Sequence, residues 1–143
     1  MTCVWRSGFG VRYCIGQALA GGCAKVIIAD GARAVVSTGN YSKTYSVDKE
    51  RNFVAHLNDP QDVADLVSIF DADWESQSLT MTCTRLLVSP INSKERLLDL
   101  IDSATTTLDI ESMQLAETDI RKHVADRHEA GVTVRVLLAA PSW

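Results

Sequence analysis

"GGCAKVIIADGARAVVSTGN", residues 21–40, is the stretch on which the reading of this chain turns. "CAKVIIAD" is a short, nearly continuous apolar run ending in the turn "DGA", and "RAVVS" comes directly after it. Short β-branched runs on both sides of Asp30 and Gly31 predict a hairpin in a mostly buried sheet. After the polar "NYSKTYSVDKE", "RNFVAHL" at 51–57 supplies a third strand. On the other side, residues 1–22 hold five glycines, Gly8, Gly10, Gly16, Gly21 and Gly22, with little clear periodicity. They read as turns, or as a start lacking its packing partners.

"DPQDVADLVSIFDADW" at 59–74 is the clearest helix. Asp59 can cap it, Pro60 fits its first turn, and Val63, Leu66, Val67, Phe70 and Trp74 follow the helical period as a core face. The polar break "ESQSLTMTCT" separates this unit from a second that opens at about residue 84. There "RLLVS" reads as a strand and "PIN" as a turn. The next helix starts at about Ser93 with Leu97, Leu98 and Ile101 inward. "TTLDIES" alternates as a half-exposed strand, "TDIRKHVADRHEAG" is a helix capped by Thr118 and ended by Gly131, and "VTVRVLL" is a last strand. Strands alternating with helices make the chain α/β, with a sheet at least partly parallel.

The length of 143 residues allows one compact domain or two incomplete ones, and 46% apolar composition supports a globular core. A net charge of -4 gives no overall sign of a nucleic-acid or anionic-membrane binder. Cys3, Cys14, Cys23 and Cys83 form no CxxC pair and have no histidine at metal-ligand spacing, which argues against zinc. Reduced thiols point to the cytoplasm. The opening "MTCVWRSGFG" is unlike a signal peptide, and no apolar run approaches a membrane span.

"CAKVIIAD" with "STGN" after it resembles the HxK(x4)D...GSxN signature of the phospholipase D superfamily. Cys23 stands at the histidine, Lys25 at the lysine, Asp30 at the aspartate, Ser37 at the glycine, Thr38 at the serine and Asn40 at the asparagine. "ERNFVAHLNDPQDVADLVSIFDADW" is similar to the segment after that signature in the cardiolipin-synthase-like branch. Residues 86–138 look like the opening of the next catalytic half. The resemblance covers nearly everything from 23 to 138. It implies that residues 1–83 are the end of a first half with a degenerate motif, and 84–143 the start of a second. The implied fold is a phospholipase-D-like mixed sheet with flanking helices, left incomplete.

The family resemblance implies a phosphodiesterase mechanism without metal or other cofactor. One histidine attacks phosphorus, a histidine of the other motif protonates the leaving oxygen, and water or an alcohol releases the phosphoryl group. Attack on an anionic phosphodiester needs a nucleophile beside positive donors. Lys25 suits the donor role, Asn40 can offer an amide N–H and Thr38 a hydroxyl. On a strand, Cys23 and Lys25 face the same side. Asp30, past the strand end, either orients a basic partner or is simply the hairpin aspartate.

A thiolate lowered by a neighbouring lysine can attack phosphorus, yet here no second motif supplies the general acid. Cys23 therefore reads as buried or incidental. Single-motif relatives build one site from two copies, so the resemblance admits a homodimer, but each copy again brings a cysteine. His56 falls in a strand-like run, and His123 and His128 on a helix, as poor replacements. Glu50 is a candidate supporting carboxylate or a solvated loop residue, and Glu111 a strand-end carboxylate or an exposed alternate position. Arg121, Lys122 and Arg127 read as a solvated helix face able to meet anionic headgroups, which admits peripheral membrane contact.

The substrate class implied is a phosphodiester, foremost a phospholipid, handled by phosphatidyl transfer or hydrolysis in intact relatives and with catalysis lost in this chain. Two alternatives stand beside it: a non-catalytic phosphate or phospholipid binder that keeps Lys25, Thr38 and Asn40, and a truncated fragment without independent function.

Overall fold

The computed structural model describes residues 2–5, 12–15, 25–41, 51–81 and 83–139. The chain divides into two units, Met1–Leu86 and Leu87–Trp143, and together they make a mixed α/β protein.

In the first unit, β1 (Thr2–Trp5) pairs antiparallel with β2 (Arg12–Ile15). The glycine-rich start thus contains a strand pair that its weak periodicity did not announce. The decisive hairpin forms as read: β3 (Val26–Ala29) runs antiparallel to β4 (Arg33–Ser37). Ala32 N–H donates to Ala29 O at 3.0 Å, with Asp30 and Gly31 at φ 57° and 62°. Two successive positive φ values set the twist of a tight hairpin, and Asp-Gly supplies them at low steric cost. β5 (Val54–Leu57) adds to the far edge of β4, giving the order β3-β4-β5.

α1 (Pro60–Glu75) begins where the sequence places it. The Asp59 carboxylate accepts from Gln61 N–H at 3.0 Å and Asp62 N–H at 3.3 Å, satisfying two of the donors a helix start leaves open. Val63 and Leu66 are buried with Ala34, and Val26, Ile28, Val36, Leu57, Ile69 and Leu86 pack around them. That sheet face is apolar and covered around Ala34, while Ala55 on β5 stays exposed. Phe70 departs from the expected core face: it is 54% exposed and stacks on Trp74 with ring centroids 6.1 Å apart. The inward stripe runs through Val63, Leu66 and Ile69, rotated from the one that includes Phe70.

The second unit is α2 (Ser93–Asp102), β6 (Thr107–Ser112), α3 (Thr118–Glu129) and β7 (Thr133–Leu138). β6 and β7 are parallel and in register from Thr107 opposite Thr133 to Ser112 opposite Leu138, so the expected parallel pair is present. A parallel pair needs a crossover, which α3 provides. Ile101, Val124 and Val132 are buried.

Three sequence expectations need correction here. "RLLVS" is not a strand: residues 85–86 are bends, 87–88 are irregular and 89 begins a turn, with Leu86 N–H bonded to the Thr84 hydroxyl and Val88 N–H to Asn92 Oδ1. β-propensity makes a strand only where a partner ladder exists. Leu97 lies at 36% exposure rather than in the core, leaving Ile101 as the buried position of α2. α3 is capped by Glu117 rather than Thr118. Its carboxylate accepts from Ile120 N–H at 2.8 Å, and its backbone is extended where Thr118 is already helical. Gly131 ends the helix at φ 91° as expected.

Candidate functional site

The hairpin carries two separated pieces of sequence to one place. Ser37 N–H donates to Lys25 O at 2.9 Å, one step beyond the last β3–β4 pair, so Lys25 lies directly against the start of "STGN". Lys25 is half-buried and Asn40 exposed. The chain leaving β4 is tightly organised: the Ser37 hydroxyl accepts from Gly39 N–H at 3.0 Å, and Thr38 N–H donates to Phe53 O at 3.0 Å. Gly39 is buried, and a Cβ there would fall 2.5 Å from Asn52 Cγ.

Thr38 is engaged within this turn. Its hydroxyl accepts from Phe53 N–H at 3.0 Å and lies 3.2 Å from Asn52 Oδ1. The hydroxyl proton goes to Asn52 Oδ1 or to Phe53 O at 3.5 Å, and either way Thr38 acts on the loop rather than outward. Asn52, which the sequence did not single out, is the residue that holds it. No composition or periodicity signal marks Asn52; only the pairing of β4 with β5 brings it there.

Asp30 is at the opposite end of β3, exposed in the turn, with four strand residues between it and Lys25. At ~3.3 Å per residue this puts the two Cα atoms ~16 Å apart. Lys25 and "STGN" are thus together, and Asp30 is not with them. Cys23 and Glu50 lie outside the described residues. Glu111 is exposed on β6, opposite Leu137.

The sheet register also sorts the polar residues. Val26, Ile28, Ala34, Val36, Ala55 and Leu57 share the face turned to α1. Lys25, Ile27, Arg33, Val35, Ser37, Val54 and His56 share the other. His56, set aside in the sequence as a strand residue, therefore lies on the face that bears Lys25.

Elsewhere the charged side chains pair with each other. Arg85 contacts Asp59 at 2.6 Å and Asp62 at 3.0 Å, which holds the Asp59 carboxyl below the usual range. Lys94 bridges Glu117 and Asp119, Arg135 pairs with Asp109, and His123 Nδ1 lies 2.9 Å from Asp102. Arg127 reaches the Asp102 carbonyl at 3.3 Å, so it belongs to an α2–α3 clasp rather than to an open basic helix face. Among the described residues no three His, Cys, Asp or Glu side chains gather as metal ligands, and no helix is long and apolar enough to cross a membrane.

No family model matches the chain, and no curated protein matches it. Among solved structures it is similar to polyphosphate kinase from Porphyromonas gingivalis, with a TM-score of 0.65 and 19% identity over 80% of this chain. The chain spans 20% of that protein's length. At this identity the likeness is one of fold.

Proposed function

We propose that this chain is a phospholipase-D-like protein that binds phosphodiesters, phospholipid foremost, and has lost catalysis of its own. The observation that carries the reading is the backbone pairing of Lys25 with Ser37, which brings a lysine to the sheet row that leads into the turn of Asn40. A phosphodiester presents two anionic nonbridging oxygens, and an ammonium with an adjacent amide N–H is suited to them. The fold likeness is to a protein named for polyphosphate, whose oxygens are anionic in the same way. That likeness is one of fold, and the phosphate reading itself rests on Lys25.

Loss of catalysis follows from the chemistry of the sequence. A cysteine stands at the position where the resemblance puts the attacking histidine, and that substitution carries the non-catalytic reading. Binding without turnover is what remains.

The test is calorimetric titration of the purified chain with a soluble short-chain phosphatidylglycerol kept monomeric. Saturable binding is expected, weakened at least ~10-fold in Lys25→Ala, the equivalent of ~1.4 kcal/mol. Equal affinity in wild type and variant would refute the proposal.

A further inference from the structure

The described polar strand residues of the β3-β4-β5 sheet are distributed unevenly. The face toward α1 carries only aliphatic side chains, whereas the other face carries Lys25, Arg33 and His56 with no carboxylate among its strand positions. Asp30 is nearby only in the turn beyond the last row. The register fixes the layout. Lys25 is opposite Ser37, which is opposite Val54; Ile27 is opposite Val35, which is opposite His56; and Ala29 is opposite Arg33. The three basic residues thus occupy three successive rows, one on each strand.

With strands ~4.8 Å apart and same-face residues ~6.8 Å apart along a strand, Lys25 is ~12 Å from His56 and ~14 Å from Arg33, and His56 is ~8 Å from Arg33. One phosphate group is too small to span that diagonal. A ligand with phosphates in series can place one at Lys25 and another between His56 and Arg33. Arg33 and His56 are exposed, so their N–H donors are open to such a ligand. Between the basic residues the exposed side chains are apolar, Ile27 at 50% and Val54 at 56%, and Ser37 in the Lys25 row is buried with its hydroxyl accepting from Gly39 N–H.

From this layout we infer that the outer face of the first sheet binds an extended ligand bearing two or more phosphate groups, with Arg33 and His56 contacting the phosphates beyond the one held by Lys25. The inference rests on the phosphate reading of Lys25 and adds a ligand class and two residues to it. Charge complementarity selects the occupant: three basic residues facing one way, without acidic partners on their strands, match a polyanion better than an apolar partner.

The experiment compares inorganic tripolyphosphate with glycerophosphoglycerol, which has one phosphate, using wild type, Lys25→Ala, Arg33→Gln, His56→Gln and the Arg33→Gln/His56→Gln double variant. Tripolyphosphate is expected to bind at least ~10-fold tighter than glycerophosphoglycerol. The double variant should lose that advantage yet keep wild-type affinity for glycerophosphoglycerol. Lys25→Ala should weaken both ligands. All substituted positions are exposed or half-buried at the surface, and circular dichroism is the check that each variant is folded.

If the double variant retains the tripolyphosphate advantage while Lys25→Ala weakens both ligands, the extended face is refuted and the Lys25 reading stands. If Lys25→Ala changes neither, the Lys25 reading falls and the inference with it. Absence of tripolyphosphate binding by the wild type overturns the inference directly. Sedimentation without ligand covers the rival occupant: a dimer broken by Ile27→Asp and unaffected by tripolyphosphate would assign the face to a second copy and overturn the inference.

Discussion

A Cβ built on Gly39 falls 2.5 Å from Cγ and Nδ2 of Asn52 and 2.8 Å from its Oδ1, inside any van der Waals limit. The crowded amide is the one that takes the Thr38 hydroxyl, so a side chain at 39 displaces Asn52 and frees Thr38 together. Gly39→Ala is expected to destabilise the first unit by ~0.5–1.5 kcal/mol, because the obstacle is a side-chain amide that can swing away at the cost of its bond with Thr38. Urea unfolding measures it, and the double variant Gly39→Ala/Asn52→Ala should recover much of the loss because the obstacle is gone. A double variant as unstable as the sum of the singles would place the obstacle elsewhere. Within residues 1–143 Cys23→His restores a nucleophile type without a second HxK motif to act as general acid, so hydrolysis of a model phosphodiester by these residues alone should stay at background. Robust turnover by that variant would show that a complete acid-base pair exists in this chain. At this scale the sequence made Lys25 and "STGN" legible, because a hairpin about Asp30-Gly31 necessarily folds one onto the other. Arg33 and His56 were not legible, because a face is defined only once register is known, and a one-residue slip would move every side chain across the sheet.

The helix starts are where electrostatics and local structure meet. Glu117 accepts from Ile120 N–H and contacts Lys94, which also contacts Asp119, and these bonds lower both carboxyls from their ordinary values. Asp59 is lowered mainly by its hydrogen bond with Arg85, and Asp109 by that with Arg135. A carboxyl lowered in the folded state contributes stability that is fully present above its unfolded value and is lost as pH falls through the folded one. The thermal midpoint should therefore be insensitive to these groups at neutral pH and fall below ~pH 4.5, around and beneath ordinary carboxylate values. Glu117→Gln and Asp59→Asn should each flatten that acid limb, most clearly at low salt, because all these groups are solvent-screened. An acid limb identical in wild type and both variants would show that the bonds do not contribute to stability. The start of α1 was readable because Asp-Pro is an unambiguous cap and first-turn pair. That of α3 was read one residue late: "ETD" offers several capping side chains in a row, and backbone conformation rather than residue type chose Glu117. "RLLVS" was misread because a strand is a property of two segments. Phe70 was misread because 3.6 residues per turn lets an apolar stripe continue around the helix after the sheet ends.

Two sets of buried side chains, one in each unit, set the behaviour of the whole molecule. Ala34, Val63 and Leu66 are buried in the first unit, and Ile101, Val124 and Val132 in the second. Each unit is short for a self-sufficient core, since the fraction of surface buried on folding falls with chain length. Large apolar residues also remain exposed in both, among them Phe53, Phe70, Leu100 and Leu137. Substitutions in separate contact groups are expected to act independently. Leu66→Ala should destabilise the first unit by ~2–5 kcal/mol, and Ile101→Ala the second by a similar amount, through lost burial and the cavity left behind. Followed by circular dichroism across a urea gradient, each variant should separate the unfolding curve into two steps and move only its own. The slope of each step should be smaller than a cooperative 143-residue chain would give, because less surface is exposed at a time. If both substitutions instead shift one common transition at full slope, the units fold as one cooperative body. The ligand face on β3-β4-β5 would then owe part of its stability to residues beyond Leu86, and the Ile101→Ala variant would bind tripolyphosphate more weakly at urea concentrations that leave wild type folded.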